Sequence, residues 1–193
     1  MAAESPKAVA GEAQRRRRPR MVRALSPKAF MQIAGDEVDR ALRYDRPLSI
    51  LMIQIGGALR IRKEEGVDTA EEIIAAAAEV IGHTLRRIDR LARLGPAEFG
   101  ILLPETRLGN AEIVAVRLRD YFAEVPLDIR SGRRSVSLNV GISTVNPRMR
   151  NARTFLLMAC AELRRARMEG AGTIHTAPPD LVRVSVARNA SIH

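Results

Sequence analysis

The chain has 193 residues, and a soluble domain typically takes about 100 to 200, so the length fits one domain with tails. Hydrophobic residues make up 46% and charged residues 28%, with no Trp, 2 Tyr and 4 Phe, which predicts a core of aliphatic side chains. The apolar stretches are far shorter than the roughly 18 to 20 residues of a membrane span. There is no secretory signal pattern, and Cys160 is the only cysteine, so we expect a cytoplasmic protein without an internal disulfide.

Half of the net charge of +10 lies at the N-terminus. Residues 1–23 contain Lys7, Arg23 and the run Arg15-Arg16-Arg17-Arg18-Pro19-Arg20, against Glu4 and Glu12. This segment has no apolar period, so we predict a disordered, arginine-rich tail that can contact an anionic partner such as nucleic acid, lipid or an acidic protein. A solvated arm that only aids solubility is an equally good interpretation.

Helical and extended patterns alternate through residues 24–174, which we predict to be one folded domain. Ser26-Pro27 is typical of a helix start, and the apolar stripe of this helix is formed by Phe30, Ile33, Val38, Ala41 and Leu42. The near-continuous apolar run Leu48–Ile55 predicts a central strand covered on both faces. The later elements are predicted as helices at 58–65 and 69–85, a hairpin at 89–94 and 98–103, a helix at 110–122, a strand at 134–145, a helix at 151–168 and a short strand near 173–175.

This order of elements predicts a mixed α/β (α+β) domain, with a central sheet of about five strands flanked by helices. Residues 175–193 are predicted to be a C-terminal tail. Within that tail, Val182–Val186 alternates between apolar and polar residues and is a weaker candidate for an edge strand.

Several motifs that could carry chemistry have simpler interpretations. The pair Gly56-Gly57 lies between a strand and a helix, but the chain lacks the further glycines, or the Gly-Lys-Ser/Thr, of a nucleotide-binding loop, so turn glycines are favoured. The three histidines have no cysteine or carboxylate at ligand spacing, so no zinc site is predicted. Cys160 lies in an apolar helical stretch and is predicted to be a small core residue.

A pattern of opposite charges precedes the predicted hairpin, at Arg86-Arg87-Ile88-Asp89. On a helical turn, Arg86 and Asp89 would point the same way. A guanidinium can bind phosphate oxygens or the O6 and N7 atoms of guanine, and a carboxylate accepts from the guanine N1–H and N2–H₂. The same spacing recurs at Arg117-Leu118-Arg119-Asp120. A surface ion pair is therefore the simpler interpretation of the spacing alone.

Taken together, residues 24–172 resemble a GGDEF domain, the diguanylate cyclase family that makes cyclic di-GMP from two GTP molecules. The segment Arg93–Phe99, followed by Ile101–Thr106, resembles the signature RYGGDEFxxxLPxT. Further matches follow in the family's order: Leu25–Phe30 with LTGLxNRxxF, Arg46–Ile53 with the run before DxDxFKxxND, Ser137–Ile142 with vTvSiGvA, and Ala159–Gly172 with ADxALYxAKxxGRN. The resemblance implies the family's fold for about three quarters of the chain.

The resemblance also identifies where this chain departs from the family's metal site. The first metal-binding aspartate corresponds to Gln54, and the second aspartate of that segment corresponds to Gly56. The signature loop reads Gly95-Pro96-Ala97-Glu98-Phe99, so the metal carboxylate of the loop corresponds to Ala97. A lone carboxylate at Glu98 holds a hard divalent ion poorly, so no metal site is expected.

The contacts that the family makes to guanine and phosphate are also altered. The guanine-reading asparagine and aspartate correspond to Arg62 and Glu71, and the second glycine of the loop is Pro96, which has no N–H to donate. Of the basic pair that holds the triphosphate, one member is Arg167 and the other corresponds to Ala171. The resemblance therefore implies that the chain is not an active cyclase and needs no cofactor.

The family's inhibitory product site, in contrast, is matched. That site is an RxxD motif five residues before the signature loop, a position that Arg86 and Asp89 occupy, and it takes a further arginine that corresponds to Arg117. The resemblance implies a cyclic di-GMP receptor that signals through dimerisation or partner binding. The alternative is a protein-interaction scaffold that binds no nucleotide. Nucleic-acid binding by the tail and residual cyclase activity are weaker interpretations.

Overall fold

A computed structural model describes residues 24–146, 149 and 151–178. The predicted tail at 1–23 and the segment Val182–Val186 lie outside the described residues. In chain order, the described elements are α1 (Pro27–Tyr44), β1 (Leu48–Gly56), α2 (Ala58–Glu64), α3 (Val67–Thr84), β2 (Arg90–Arg93), β3 (Glu98–Pro104), α4 (Leu108–Glu124), β4 (Leu127–Ile129), β5 (Gly132–Arg134), β6 (Ser137–Thr144), α5 (Ala152–Glu169) and β7 (Ile174–Thr176). None of the helices described is long and apolar enough to span a bilayer.

Five of the strands form one sheet in the order β2-β3-β1-β6-β7. Strand β1 is central and runs antiparallel to both β3 and β6, while β6 and β7 are parallel. The predicted mixed sheet of about five strands flanked by helices is therefore confirmed. Because β1 runs towards Gly56 and β3 starts at Glu98, the end of β1 and the β2–β3 turn lie at the same end of the sheet.

Strand β1 is buried on both faces, as its continuous apolar run predicts. Leu51, Ile53 and Ile55 pack into a core cluster with side chains of α2, α3 and α4. Ile50 and Met52 point to the other face and pack with side chains of α1 and α5. The sheet is thus a central layer between two layers of helices.

Helix α1 begins as its sequence predicts. The Ser26 hydroxyl accepts a hydrogen bond from the Ala29 N–H at 3.3 Å, and proline occupies the first turn. The predicted stripe is wrong at Leu42, which is 36% exposed. The buried residues of α1 instead include Ala34 and follow the spacing of whole helical turns: Phe30, Ala34, Val38 and Ala41.

Two boundaries near the C-terminal half differ from the prediction. The strand expected from Arg134 begins at Ser137, because Arg134 belongs to the small β4–β5 hairpin instead. These strands have only three residues each, which is too short for a sequence pattern to mark them as strands. At the other boundary, β7 pairs with β6 through Thr176, and the Ala177 N–H donates to Ile142 O at 2.8 Å. The folded domain therefore continues past the predicted limit at residue 174.

Candidate functional site

Polar side chains form one rung across the sheet under α5. Gln54 of β1 is paired with Glu98 of β3 on one side and with Asn139 of β6 on the other. Gln54 is 9% exposed and Asn139 is 6% exposed, and the Asn139 side chain accepts from the Thr173 N–H. Arg167 of α5 forms an ion pair with Glu98 at 3.4 Å. The structure thus brings Gln54, Glu98 and Arg167 together, and the one carboxylate among them already has a partner.

The residues at the family's metal positions do not fit a divalent cation. Mg²⁺ prefers carboxylate and carbonyl oxygens in an octahedral arrangement. Gln54 offers a neutral amide, and Ala97 is a methyl group that is 1% exposed and packed in the core cluster under α2, α3 and α4. At Gly56, a side chain would collide with the Ser137 hydroxyl. Among the described residues there is no group of three or more His, Cys, Asp or Glu side chains that could hold a metal ion.

Next to this rung, the β2–β3 turn is held by Arg93. Its guanidinium donates to both carboxylate oxygens of Glu71 in α3, at 2.6 and 2.7 Å, and also to the carbonyls of Gly95 and Pro96. The hydrogen bonds from Arg93 hold the pKa of Glu71 below its usual value. Arg62 lines the same shallow groove. Arg62 and Glu71, which the resemblance aligns with the family's guanine-reading positions, interact electrostatically, but both carboxylate oxygens of Glu71 are bound by Arg93.

Cys160 differs from its prediction, because the thiol is exposed and lines a groove with Glu98 and Arg167. The buried side of α5 includes Phe155, Ala159 and Leu163, and Cys160 lies one residue further round the helix. Partial burial, and then the negative charge of Glu98, raise the pKa of the thiol. The apolar neighbours of Cys160 in the sequence gave no signal of its exposure.

The Arg86–Asp89 segment is a turn between α3 and β2 rather than part of a helix. The Arg86 N–H donates to Asp89 Oδ2 at 2.7 Å, and the Asp89 N–H donates to Arg86 O at 3.1 Å. A single nitrogen of Arg90, Nη1, donates to the carbonyls of Arg87, Ile88 and Asp89, at 2.9, 2.8 and 3.1 Å. The predicted surface ion pair is therefore replaced by side-chain contacts to the backbone, which set the shape of the turn.

The second oxygen of Asp89 has no hydrogen-bond partner within the described part of the chain, although it is buried. Loss of solvent raises the pKa of Asp89 above its usual value, against the opposing effects of Arg86 and Arg90. The Arg86 side chain is exposed, and within residues 24–146, 149 and 151–178 its guanidinium has no ion pair. The turn thus contains a buried hydrogen-bond acceptor without a partner and, beside it, the exposed guanidinium of Arg86, which has no ion pair among the described residues.

Arg117 lies on the exposed side of α4. Helices α3 and α4 cover the same face of the sheet, and the Arg86–Asp89 turn directly follows α3, so the three predicted ligand contacts belong to one layer of the molecule. In the second RxxD-like segment, Asp120 is paired with its neighbour Arg119 at 2.7 Å. That pairing leaves Arg117, like Arg86, without an ion-pair partner among the described residues.

Comparison with known proteins agrees with this architecture. The family model described as "Diguanylate cyclase, GGDEF domain" matches residues 26–173. The response regulator PleD of Caulobacter vibrioides is 31% identical over 108 residues, which are 55% of this chain and 24% of PleD. The probable diguanylate cyclase DgcC of Escherichia coli is 27% identical over 135 residues, 70% of this chain and 36% of DgcC. The matched region is thus about a quarter to a third of these relatives.

Solved structures show the same fold. The GGDEF domain of YfiN (TpbB) from Pseudomonas aeruginosa superimposes with a TM-score of 0.76 at 22% identity, over 82% of this chain and 99% of that domain. The GGDEF domain of DgcB from Caulobacter crescentus, solved in complex with c-di-GMP, gives a TM-score of 0.75 at 18% identity, over 83% and 98% of the two chains. Together with the family model, which spans well over half of the chain, these matches show that the chain belongs to the GGDEF domain family.

Proposed function

We propose that this chain is a non-catalytic receptor for cyclic di-GMP in the cytoplasm, which binds the dinucleotide with Arg86, Asp89 and Arg117. The observation that carries the proposal is the unsatisfied Oδ1 of Asp89. A buried acceptor without a partner costs about 1 to 3 kcal/mol, and more when it is charged. A ligand that donates a hydrogen bond to this oxygen removes that cost.

The chemistry of guanine fits the Arg86–Asp89 turn. The N1–H and N2–H₂ groups of guanine are adjacent donors that a carboxylate can accept. Asp89 already uses Oδ2 for the Arg86 N–H, so Oδ1 is the oxygen with free capacity. The exposed guanidinium of Arg86 can bind the other polar edge of the base or a phosphate oxygen. Arg117 adds a second unpaired cation in the same layer of the molecule.

The proposal that the chain is non-catalytic rests on the former active site. Gln54 and Ala97 supply no negative oxygen for a cation, and both oxygens of Glu71 are bound by Arg93. The relatives include a probable diguanylate cyclase, so sequence similarity alone would favour cyclase activity. The residues present here argue against it, because phosphoryl transfer depends on charge stabilisation by bound metal ions and positioned cations.

Signalling is proposed to occur through dimerisation or partner binding. A dinucleotide with two guanines and two phosphates can contact two arginine-bearing surfaces at once, and this favours the associated state by mass action. Partner binding has a parallel among the structural neighbours, because the diguanylate cyclase SiaD of Pseudomonas aeruginosa was solved in complex with its activator SiaC.

A nucleotide-independent scaffold is the second candidate, favoured by exposed aliphatic side chains on the outer face of α4. Ile113, four residues before Arg117, is 58% exposed, and Val116, directly before Arg117, is 37% exposed. Contiguous exposed apolar surface is typical of sites that bind other proteins. In a scaffold, these side chains would bind a protein partner regardless of whether cyclic di-GMP is present.

Calorimetric titration of cyclic di-GMP into the full chain tests the proposal. We expect micromolar or tighter binding that falls by at least about tenfold in Arg86→Ala, because a charge-assisted pair contributes about 1.5 to 3 kcal/mol. Arg87→Ala is the matched control, since Arg87 is the adjacent exposed arginine of the same turn. Absence of binding by the wild type would favour the scaffold. Gel filtration with saturating ligand then shows whether binding drives association.

A parallel assay addresses catalysis. The full chain is incubated with GTP and Mg²⁺, and products are separated by chromatography, with an active GGDEF cyclase as the positive control. We expect no cyclic di-GMP. Product formed by the wild type and abolished in Glu98→Gln would contradict the non-catalytic assignment.

A further inference from the structure

The outer side of α4 carries aliphatic and charged side chains along one line of the helix. The inner side packs into the core through Ala111, Ala115, Leu118 and Phe122. The outer side is formed by exposed residues that recur at helical spacing: Ile113, Val116, Arg117, Asp120, Ala123 and Glu124. These six residues are called the α4 face below.

The α4 face has two halves of opposite charge. Its first half combines two exposed aliphatic side chains, Ile113 and Val116, with the cation of Arg117. Its second half contains the small side chain of Ala123 and two acidic residues. The face therefore changes from aliphatic and basic to acidic along the helix.

The charges of the α4 face are largely unused within the chain. Arg117 and Glu124 have no ion pair among the described residues. Asp120 contacts its neighbour Arg119 through Oδ1, at 2.8 Å from Nε and 2.7 Å from Nη2. The other oxygen, Oδ2, accepts no hydrogen bond from the part of the chain that the structure describes. Both signs of charge are thus available to an outside partner.

The order of these charges does not stabilise α4 by itself. The positive end of a helix dipole lies at the N-terminus, so acidic residues stabilise the first turn of a helix and basic residues the last. Helix α4 has no acidic residue in its first turn and no basic residue in its last turn, which ends at Glu124. A second helix packed antiparallel would bring its own positive end close to Glu124.

We propose that the α4 face is the contact between two copies of this chain, whose α4 helices lie antiparallel about a two-fold axis between Arg117 and Asp120. In a two-fold contact, if one residue faces a second residue, the second also faces the first. Arg117 of each copy therefore faces Asp120 of the other. Ile113 and Val116 lie against Ala123 and the methylene groups of Glu124 in the second copy, which removes their aliphatic surface from water.

A second copy fits the α4 face better than another protein, because the face supplies its own complement. An acidic partner would pair with Arg117 but would bring like charges close to Asp120 and Glu124. A basic partner would have the opposite fault. Only a surface with both halves, in reverse order, matches the face along its whole length, and a second α4 is such a surface.

This contact does not require the proposed binding of cyclic di-GMP. Arg117 belongs both to the α4 face and to the proposed ligand site, so association is measured without the dinucleotide. A chain that associates through α4 but does not bind cyclic di-GMP would remove the proposed receptor function and leave the contact intact. The two proposals therefore fail separately.

Sedimentation velocity of the full chain over a range of concentrations tests the contact. We expect a reversible monomer–dimer equilibrium. Arg117→Glu and Asp120→Arg should each weaken dimerisation by at least about tenfold, because each substitution brings like charges together at two symmetric positions. Arg153→Glu is the matched control, since Arg153 is an exposed arginine of α5, on the opposite face of the sheet, and it should dimerise like the wild type.

An equimolar mixture of the two charge variants provides the sharper test. In a mixed dimer, Arg117→Glu contributes acidic residues at both positions and Asp120→Arg contributes basic ones, so opposite charges meet again and association should return. General attraction does not explain such a result, because the chain carries a net charge of +10 and both variants remain positive. Ile113→Gln combined with Val116→Gln should also weaken dimerisation. Circular dichroism checks that each variant is folded.

Three results would overturn the proposed contact. The first is a wild type that stays monomeric at every concentration, which would leave the α4 face to a different protein. The second is a dimer that Arg117→Glu does not weaken, which would place the contact elsewhere. The third is a mixture of the two charge variants that stays monomeric while the wild type dimerises, which would exclude the antiparallel pairing of Arg117 with Asp120.

Discussion

Arg93 and Glu71 form two parallel hydrogen bonds, from Nη1 to Oε2 at 2.6 Å and from Nη2 to Oε1 at 2.7 Å. The two residues are 22 positions apart and belong to β2 and α3. Their pairing ties helix α3 to the β2–β3 turn, because Arg93 also donates to carbonyls of that turn. It also occupies the carboxylate that the resemblance aligns with a guanine-reading position of the family.

This pairing predicts a pH-dependent contribution to stability. Because Arg93 holds the pKa of Glu71 below its usual value, the stabilisation is complete above the unfolded-state pKa and is lost as the pH falls through the lowered one. Both side chains are about a third or more exposed, so we expect Glu71→Gln to cost only about 0.5 to 1 kcal/mol at neutral pH. Urea denaturation at several pH values measures the difference.

Arg60→Ala provides the comparison for that measurement, because Arg60 and Glu64 form a more exposed pair within α2. We expect its unfolding free energy to change by less than about 0.5 kcal/mol. Equal losses of unfolding free energy in Arg60→Ala and Glu71→Gln would contradict a larger stabilising contribution from the Arg93–Glu71 pair.

Asp89 is expected to reduce the stability of the folded protein while contributing to the binding of cyclic di-GMP. Burial raises its pKa in the folded state, so the stability linked to Asp89 is present below the unfolded-state pKa and is lost as the pH rises through the raised one. The free energy of unfolding of Asp89→Asn should therefore increase relative to that of the wild type as the pH rises. Cyclic di-GMP affinity of the same variant should fall by about tenfold or more. Denaturation curves and calorimetry measure the two effects, and a variant that loses both would indicate a purely structural Asp89.

Arg90 is expected to act as a positioning residue for the ligand turn. Its Nη1 donates to three consecutive carbonyls, so Arg90→Gln removes the bonds that shape the turn without touching the proposed ligand contacts. We expect cyclic di-GMP affinity to fall by about tenfold, with a change in amide chemical shifts confined to residues 85–91. Arg87→Gln, which removes the same charge from the same turn, is the control and should bind within about twofold of the wild type.

The packing of α5 on β6 predicts a large effect at Gly141. A side chain at this position would overlap backbone atoms of Ala159 and Leu163 in α5, and the helix cannot yield without shifting. We expect Gly141→Ala to cost about 3 kcal/mol or more of unfolding free energy. Gly35→Ala is the control, since Gly35 lies within α1 with open space around it, and it should stabilise the protein by about 0.5 to 1 kcal/mol.

Much of the fold was predictable because its signals are local. The buried run of β1 and the cap at Ser26 depend on consecutive residues, and both are confirmed. Predictions failed where packing between separate elements determines whether a side chain is buried. Leu42 and Cys160 are apolar by sequence but exposed, because the buried sides of their helices are formed by other residues. The β4–β5 hairpin was missed because each of its strands has only three residues.

The sequence by itself determined which residue types stand where the resemblance places the family's functional positions: an amide at Gln54, a methyl at Ala97, and the Arg86 and Asp89 pair. These residue identities are given by the sequence, and an amide and a methyl group already argue against a divalent metal site. Only the tertiary structure decided how these groups are engaged. Asp89 binds the Arg86 backbone with one oxygen and leaves the other buried and unused, while Glu71 meets Arg93 across 22 residues. Hydrogen bonding and desolvation depend on distances of a few ångströms between separate elements, and no spacing along a chain specifies them.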